Sequence, residues 1–290
     1  MDDQASRTAV YVCQGRAVAD GRLAVHRFSD PIARRLLAAD ELVPVERARA
    51  GEQPSSLRDR LAVESVRACA EVMAPRTVAV DDAIGQAGHR QVVLVGAGLD
   101  GRPWRLASLS STSLFSVDHP ASQADARARS AELRPVAERL QFVAVDLTTE
   151  RLDAALSVAG HDATAPTTWV WEGVVPYLTA DEVRSTLAAM AARSAAGSVL
   201  VVNYQTPARV ATWGRRLSRL LDLVPGYASP LRAEPWRSLW TPETMSALLT
   251  EVGFTVRSDQ DLLSIARSIG SPTTHAGSLG NGRVAVAGRA

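Results

Sequence analysis

An α/β chain with a mostly parallel sheet is predicted by three observations. From Gln91 onward, short β-branched runs alternate with stretches long enough for helices, which is the pattern of βαβ units. Four of these runs finish on an acid or a glycine, as expected where ligand contacts gather at the carboxyl ends of parallel strands. The first run, VVLVGAGLDGR from Val92 to Arg102, passes into glycines spaced as GxGxxG at Gly96, Gly98 and Gly101, a strand-to-helix turn that lets backbone approach a ligand.

Taken in order, residues 7–40 place apolar and arginine positions at helical spacing and are interrupted at Gly21-Arg22 and at Ser29-Asp30-Pro31, which predicts two helices. Residues 41–56 carry prolines, a glycine and charges and predict a mobile connection. Ser56 is placed to cap a long helix over 57–87, which Pro75 is expected to break or kink. Strands are predicted at 91–96, 113–118, 140–146, 167–173 and 198–204. An arginine- and tryptophan-rich insertion follows over 205–240, then a helix opened by Thr241 and Pro242. The last runs, 253–262 and 282–290, read as an antiparallel pair closing the sheet edge.

The 290 residues are 46% apolar, enough for a packed core. No apolar run is long enough for a membrane span, and the start, MDDQASRTAV, lacks a basic-then-apolar leader; a cytoplasmic protein with no membrane partner is expected. All 32 basic residues are arginine and the formal net charge is +1, which argues against a nucleic-acid partner because phosphate binding needs a basic excess on one face. Cys13 and Cys69 lie in apolar helical patterns, as space-filling thiols do, and suggest neither a disulfide nor a metal knuckle. No metal cluster is expected.

A glycine turn with an acid about 20 residues on, here Asp118, suits any ligand that carries an adenosine, NAD and S-adenosylmethionine alike. The acids that follow discriminate. Asp146 can accept from an exocyclic amine while Leu147 packs on a flat base, and Glu172, in WVWEGVVPYL, is expected to face the middle of the site. A sulfonium and an ammonium want carboxylates there, whereas a pyrophosphate would be repelled.

Together, APRTVAVDD, VVLVGAGLDGRPWRL, FSVDHP, FVAVDL and WVWEGVVPYL resemble the leucine carboxyl methyltransferase family, including its actinobacterial and natural-product relatives, and RAVADGRLAVHRFSDPIARRLL is similar to that family's N-terminal helical segment. The resemblance implies a Rossmann-like class I methyltransferase, with a seven-stranded, mostly parallel sheet and an antiparallel edge hairpin. It implies a helical lid over 1–75 and an S-adenosylmethionine-binding domain over 76–290. It also implies that Arg76 pairs with the cofactor's carboxylate, that Gly96, Ala97 and Gly98 let backbone approach its methionine and ribose, and that Asp118 takes the ribose hydroxyls. Asp146 and Leu147 would hold the adenine and Glu172 would lie near the amino group. The family usually has threonine at Gly101, so the third glycine is incidental. His119 follows the ribose acid and is expected to line the cofactor, and Arg102 to tie the loop down. Each has a plainer alternative: Arg76 as a surface or capping arginine, Asp118 and Asp146 as strand terminators.

The implied function is O-methyl transfer to a small-molecule carboxylate, releasing S-adenosylhomocysteine, by a monomer or homodimer of bacterial origin in natural-product biosynthesis. A carboxylate is already ionised at neutral pH and needs no base; a phenol would benefit from one. Tyr177 and Tyr204, just beyond the fourth and fifth strands, are the candidate catalytic donors to the acceptor, or else packing rings. Trp213, Trp236 and Trp240 with Arg215, Arg216, Arg232 and Arg237 form either a pocket for a flat anion or an amphipathic cover. Among the histidines, His26, in the helical segment, and His119 are nearest to a role. Alternatives are a phenol or hydroxyl acceptor, an NAD-dependent oxidoreductase, and a cofactor-binding cyclase or partner protein that transfers nothing.

Overall fold

The computed structural model describes residues 6–207 and 236–290. Seven strands form one sheet: β1 (Gln91–Val95), β2 (Ser113–Asp118), β3 (Arg139–Ala144), β4 (Thr167–Trp171), β5 (Val199–Gln205), β6 (Phe254–Asp261) and β7 (Gly282–Arg289), in the order β3-β2-β1-β4-β5-β7-β6. The first five are mutually parallel and β7 runs antiparallel between β5 and β6. The strand order reverses direction beside β1, and its carboxyl end is therefore a switch point with a crevice on either side.

The helices are α1 (Arg7–Ala19), α2 (Ala39–Ala50), α3 (Leu57–Ala87), α4 (Arg102–Arg105), α5 (Pro120–Arg129), α6 (Leu152–Val158), α7 (Ala180–Ala192), α8 (Pro242–Glu251), α9 (Leu262–Ser268) and α10 (Ala276–Asn281). Alternate side chains of each central strand enter separate cores. Val93, Phe115, Trp169, Trp171 and Leu200 pack against α7 and α8, while Val92, Leu94, Leu114, Val170 and Val201 pack against α3 and α9. Both faces being covered explains why β1, β4 and nearly all of β5 are buried along their length. α7 shows the logic locally. Thr179 and Glu182 cap its start reciprocally, at 3.3 and 2.7 Å, and Val183, Leu187 and Met190 recur on one fully buried face, each worth about 1.5–3 kcal/mol.

A separate core joins α1, α2 and the amino-terminal half of α3. α3 runs unbroken through Pro75 and Arg76 and serves both this cap and the sheet: Val63, Val66 and Ala70 face the first, Val80, Ala83 and Ile84 the second. Two expectations for this region need correction. Residues 7–40 hold one α-helix and a short 3₁₀ turn at Ala33–Leu36, not two helices. The connection expected over 41–56 is largely α2, held because Glu41 accepts the Ala38 N–H at 2.8 Å and because Val45 and Ala48 are buried; it ends at Gly51 in the left-handed conformation. Pro44 sits inside that helix, so tertiary burial outweighs local propensity. Ser56 caps α3 and Thr241 caps α8. The insertion lies mostly outside the described residues, as do Trp213, Arg215, Arg216 and Arg232.

Tyr204 is wholly buried on β5 among the apolar side chains of the first core. Its hydroxyl donates to Asp259 of β6, which also receives Arg283 of β7 at 2.9 Å. Burial, then the hydrogen bond and charge of Asp259, raise its pKa, so the ring is a neutral bridge across the antiparallel edge. Tyr204→Phe is expected to cost about 1.5–3 kcal/mol in urea unfolding, the range for a hydrogen bond to a charged group, while leaving S-adenosylhomocysteine affinity unchanged by calorimetry.

Candidate functional site

A cavity of about 420 Å³ opens at the carboxyl ends of β1, β2 and β4, beneath the first turns of α1. Arg76, Gly96, Ala97, Gly98, Asp118, His119, Asp146, Leu147 and Glu172 all line it, and so does Tyr177; Tyr204 does not. Residues that sequence reasoning did not single out also contribute, among them Ser6, Thr8, Ala9 and Arg16 of the cap, Asp100, and Ser122.

The glycine turn is built for close approach. Gly96 has φ +71°, and a Cβ there would sit 2.0 Å from Val174 Cγ2; at Gly98, φ +51°, it would sit 2.9 Å from Ala9 Cβ on α1. Gly101 is different. Its backbone is ordinary helix, and a Cβ would meet the Asp30 carboxylate at 2.6 Å. The third glycine of the GxGxxG spacing thus admits a buried aspartate of the cap.

Asp118 closes β2 with both oxygens engaged by backbone, Oδ2 by the Gly98 N–H and Oδ1 by the His119 N–H at 2.7 Å. The carboxylate fixes the turn. His119 caps α5: its Nδ1 accepts from the Ala121 N–H at 3.3 Å. Asp146 accepts the Thr148 N–H and hydroxyl at 2.9 and 2.6 Å. Partial burial works to raise its pKa, but the Thr148 bonds prevail and lower it.

The other wall is a buried ion cluster. Arg76 Nε donates to Glu172 Oε1 at 2.7 Å, and Arg102 Nη1 lies 2.8 Å from Glu172 Oε2. That Oε2 accepts no aligned hydrogen bond among the described residues although it is buried. Burial disfavours the Glu172 charge, yet Arg102, then Arg76 and Arg16, hold its pKa down at about 2. At the far side, beyond β4, Tyr177 ends a short turn, and the Arg237 N–H donates to Pro176 O at 2.6 Å while its guanidinium holds Glu182 at 3.0 Å. Arg237 lines the cavity. Trp240, whose N–H donates to Gln205 O at 2.9 Å, covers the end of β5 instead. His26 is exposed and outside the cavity.

The donor set fits a zwitterion with an adenosine attached: a guanidinium beside a buried carboxylate, a glycine turn, and an acid at the end of β2. S-adenosyl-L-methionine has these charges. No helix among the described residues is long and apolar enough to cross a membrane.

The family model described as leucine carboxyl methyltransferase matches residues 9–191. A Streptomyces coelicolor protein named for S-adenosyl-L-methionine-dependent methyl transfer is 40% identical over 66% of this chain and 66% of its own length, just under two thirds. A Streptomyces avermitilis protein of the same description is 34% identical over 81% of this chain and 77% of its own. Among solved structures, a DUF574 family protein from S. avermitilis is similar at TM-score 0.57 and 15% identity, covering 89% of this chain and 95% of that one. Magnesium protoporphyrin IX methyltransferase from Synechocystis PCC 6803, solved with bound SAH, is similar at TM-score 0.50 and 13% identity, covering 89% and 99%.

The depressed pKa of Glu172 makes a signed prediction. Its folded value lies below the ordinary 4.5, so the stability it contributes is fully present above pH 4.5 and is lost as pH falls toward 2. The difference in Tm between the wild type and Glu172→Gln is expected to be largest near pH 6 and to narrow steadily between pH 4.5 and 3. A constant difference across that range would contradict the assignment.

Proposed function

The chain belongs to the leucine carboxyl methyltransferase family, whose fold and cofactor S-adenosyl-L-methionine it shares, and on that premise we propose that it methylates a carboxylate oxygen of a small organic acid. A natural-product-like acid is the preferred acceptor. When bound, the cofactor supplies a methyl group already activated by positive sulfur, so alignment and removal of water are the protein's main contribution.

The residues divide the cavity by the sheet order. Asp118, His119, Asp146 and Leu147 follow β2 and β3 and are suited to the ribose and adenine. Arg76 and Glu172, at the centre, are suited to the carboxylate and amino group of the cofactor. Tyr177 and Arg237 lie beyond β4, on the side left for the acceptor. The observation that carries the reading is Arg237 beside Tyr177 at that end: a guanidinium with donors to spare next to a phenol suits an anion, and a carboxylate is ionised there without any base. His119 is on the adenosine side with Nδ1 occupied, so it is badly placed to deprotonate a phenol at the opposite end.

The test is product chemistry across a panel of aromatic and aliphatic acids and matched phenols, with labelled cofactor. A hydroxylamine-sensitive methyl ester supports the reading; a resistant methyl ether assigns the acceptor as a hydroxyl, and no transfer to either class supports a non-methylating role. For the accepted acid, Arg237→Ala is expected to raise the acceptor KM about tenfold, the loss of one charge-assisted hydrogen bond, with S-adenosylhomocysteine affinity unchanged by calorimetry.

A further inference from the structure

Glu172 is gripped from two directions, and only one grip belongs to the cavity. Arg76 lines the cavity, whereas Arg102 is 2% exposed and lies behind the wall. Arg102 spreads its fork over three carboxylates: Asp81 Oδ1 at 2.6 Å from Nε, Asp100 Oδ2 at 2.6 Å and Glu172 Oε2 at 2.8 Å from Nη1. Its own N–H also donates to Asp100 Oδ1 at 2.8 Å. Two of the three, Asp100 and Glu172, face the cavity.

A zwitterionic ligand competes for both partners of the Arg76–Glu172 pair. Its carboxylate draws Arg76 away, and a glutamate held by Arg76 alone would follow or turn aside, leaving nothing fixed for the ammonium. A second guanidinium, out of the ligand's reach and itself anchored by Asp81, removes that freedom. Lysine's three donors radiate from one nitrogen and do not reproduce a planar fork that meets acceptors at both Nε and Nη1.

We propose that Arg102 is the positioning residue that fixes Glu172 and Asp100 so that the cavity recognises the amino-acid end of S-adenosyl-L-methionine. This rests on the reading that Arg76 and Glu172 hold that end of the cofactor. Arg76 from α3, Arg102 from α4 and Arg16 from α1 are the charged groups facing Glu172, and of these Arg102 is the one the cavity does not expose.

Two ligands separate positioning from mere support of the fold. S-adenosylhomocysteine carries the amino-acid chain; 5′-methylthioadenosine keeps the adenosine and thioether and lacks it. Calorimetric titration of both into Arg102→Met and Arg102→Lys, each checked for a cooperative melt, is expected to show S-adenosylhomocysteine weakened about tenfold or more and methylthioadenosine changed by less than about twofold, with lysine restoring little. Equal weakening of both ligands, or full rescue by lysine, overturns the proposal. Should both variants fail to fold, Asp81→Asn loosens Arg102 from outside the wall and is expected to shift the ratio in the same direction; an unchanged ratio there overturns it equally. Glu172→Gln is the control for the underlying reading. If it leaves the ratio of the two affinities unchanged, the placement of the amino-acid end is wrong, whereas a ratio that moves in Glu172→Gln but not in the Arg102 variants refutes the role of Arg102 alone.

Discussion

The carboxylate of Glu172, buried at the end of β4 and held ionised between Arg76 and Arg102, is the constraint on which the site depends. Burying a charge is costly unless it is paired, and removing one partner leaves the other exposed to the full penalty. That logic extends outward. Arg102 needs Asp81 and Asp100; Asp81 also receives Arg105 at 2.7 Å; Arg105 lies 3.5 Å from Asp30, and Asp30 receives Arg16 of α1 at 2.9 Å. The formal charges of Arg16, Arg76, Arg102 and Arg105 cancel those of Asp30, Asp81, Asp100 and Glu172. The chain of pairs leaves the cavity wall through Arg76 and returns to it through Arg16, which also donates to Leu99 O in the glycine turn.

This explains how the cap and the sheet become one structure. The apolar core of α1, α2 and α3 is distinct from the cores on the two sheet faces, so hydrophobic packing alone would leave α1 loosely specified over the crevice. Directional contacts fix it: Arg16 on Leu99 O, the Ser6 N–H on Ser122 Oγ at 3.3 Å, and Ala9 against Gly98. Gly101 belongs to the same device, since Asp30 occupies the space a side chain there would need.

The strands and their carboxyl-end acids were legible because each apolar run has a single reading and its terminal acid is adjacent in sequence. Asp118 and Glu172 could be placed from position alone. The cap was harder to read. In α2, Pro44 and a run of charges look like a connection, and only burial of Val45 and Ala48 against other helices makes it regular. Tyr204 shows a second limit. It lies one residue short of the end of β5, but strand parity turns it into the core toward Asp259, and Trp240, far along the chain, covers the β5 end. Arg102 was readable as a residue that ties down its own loop. That it reaches across to Glu172 depends on a three-dimensional neighbour that spacing does not reveal.

The cations of this network share one chemical property. The chain contains no lysine, so every positive member of the buried set is a guanidinium, which keeps its proton far into alkaline solution. A cluster built with ammonium groups would begin to come apart from both ends of the pH scale. Here reagents that modify lysine side chains have no target anywhere in the chain.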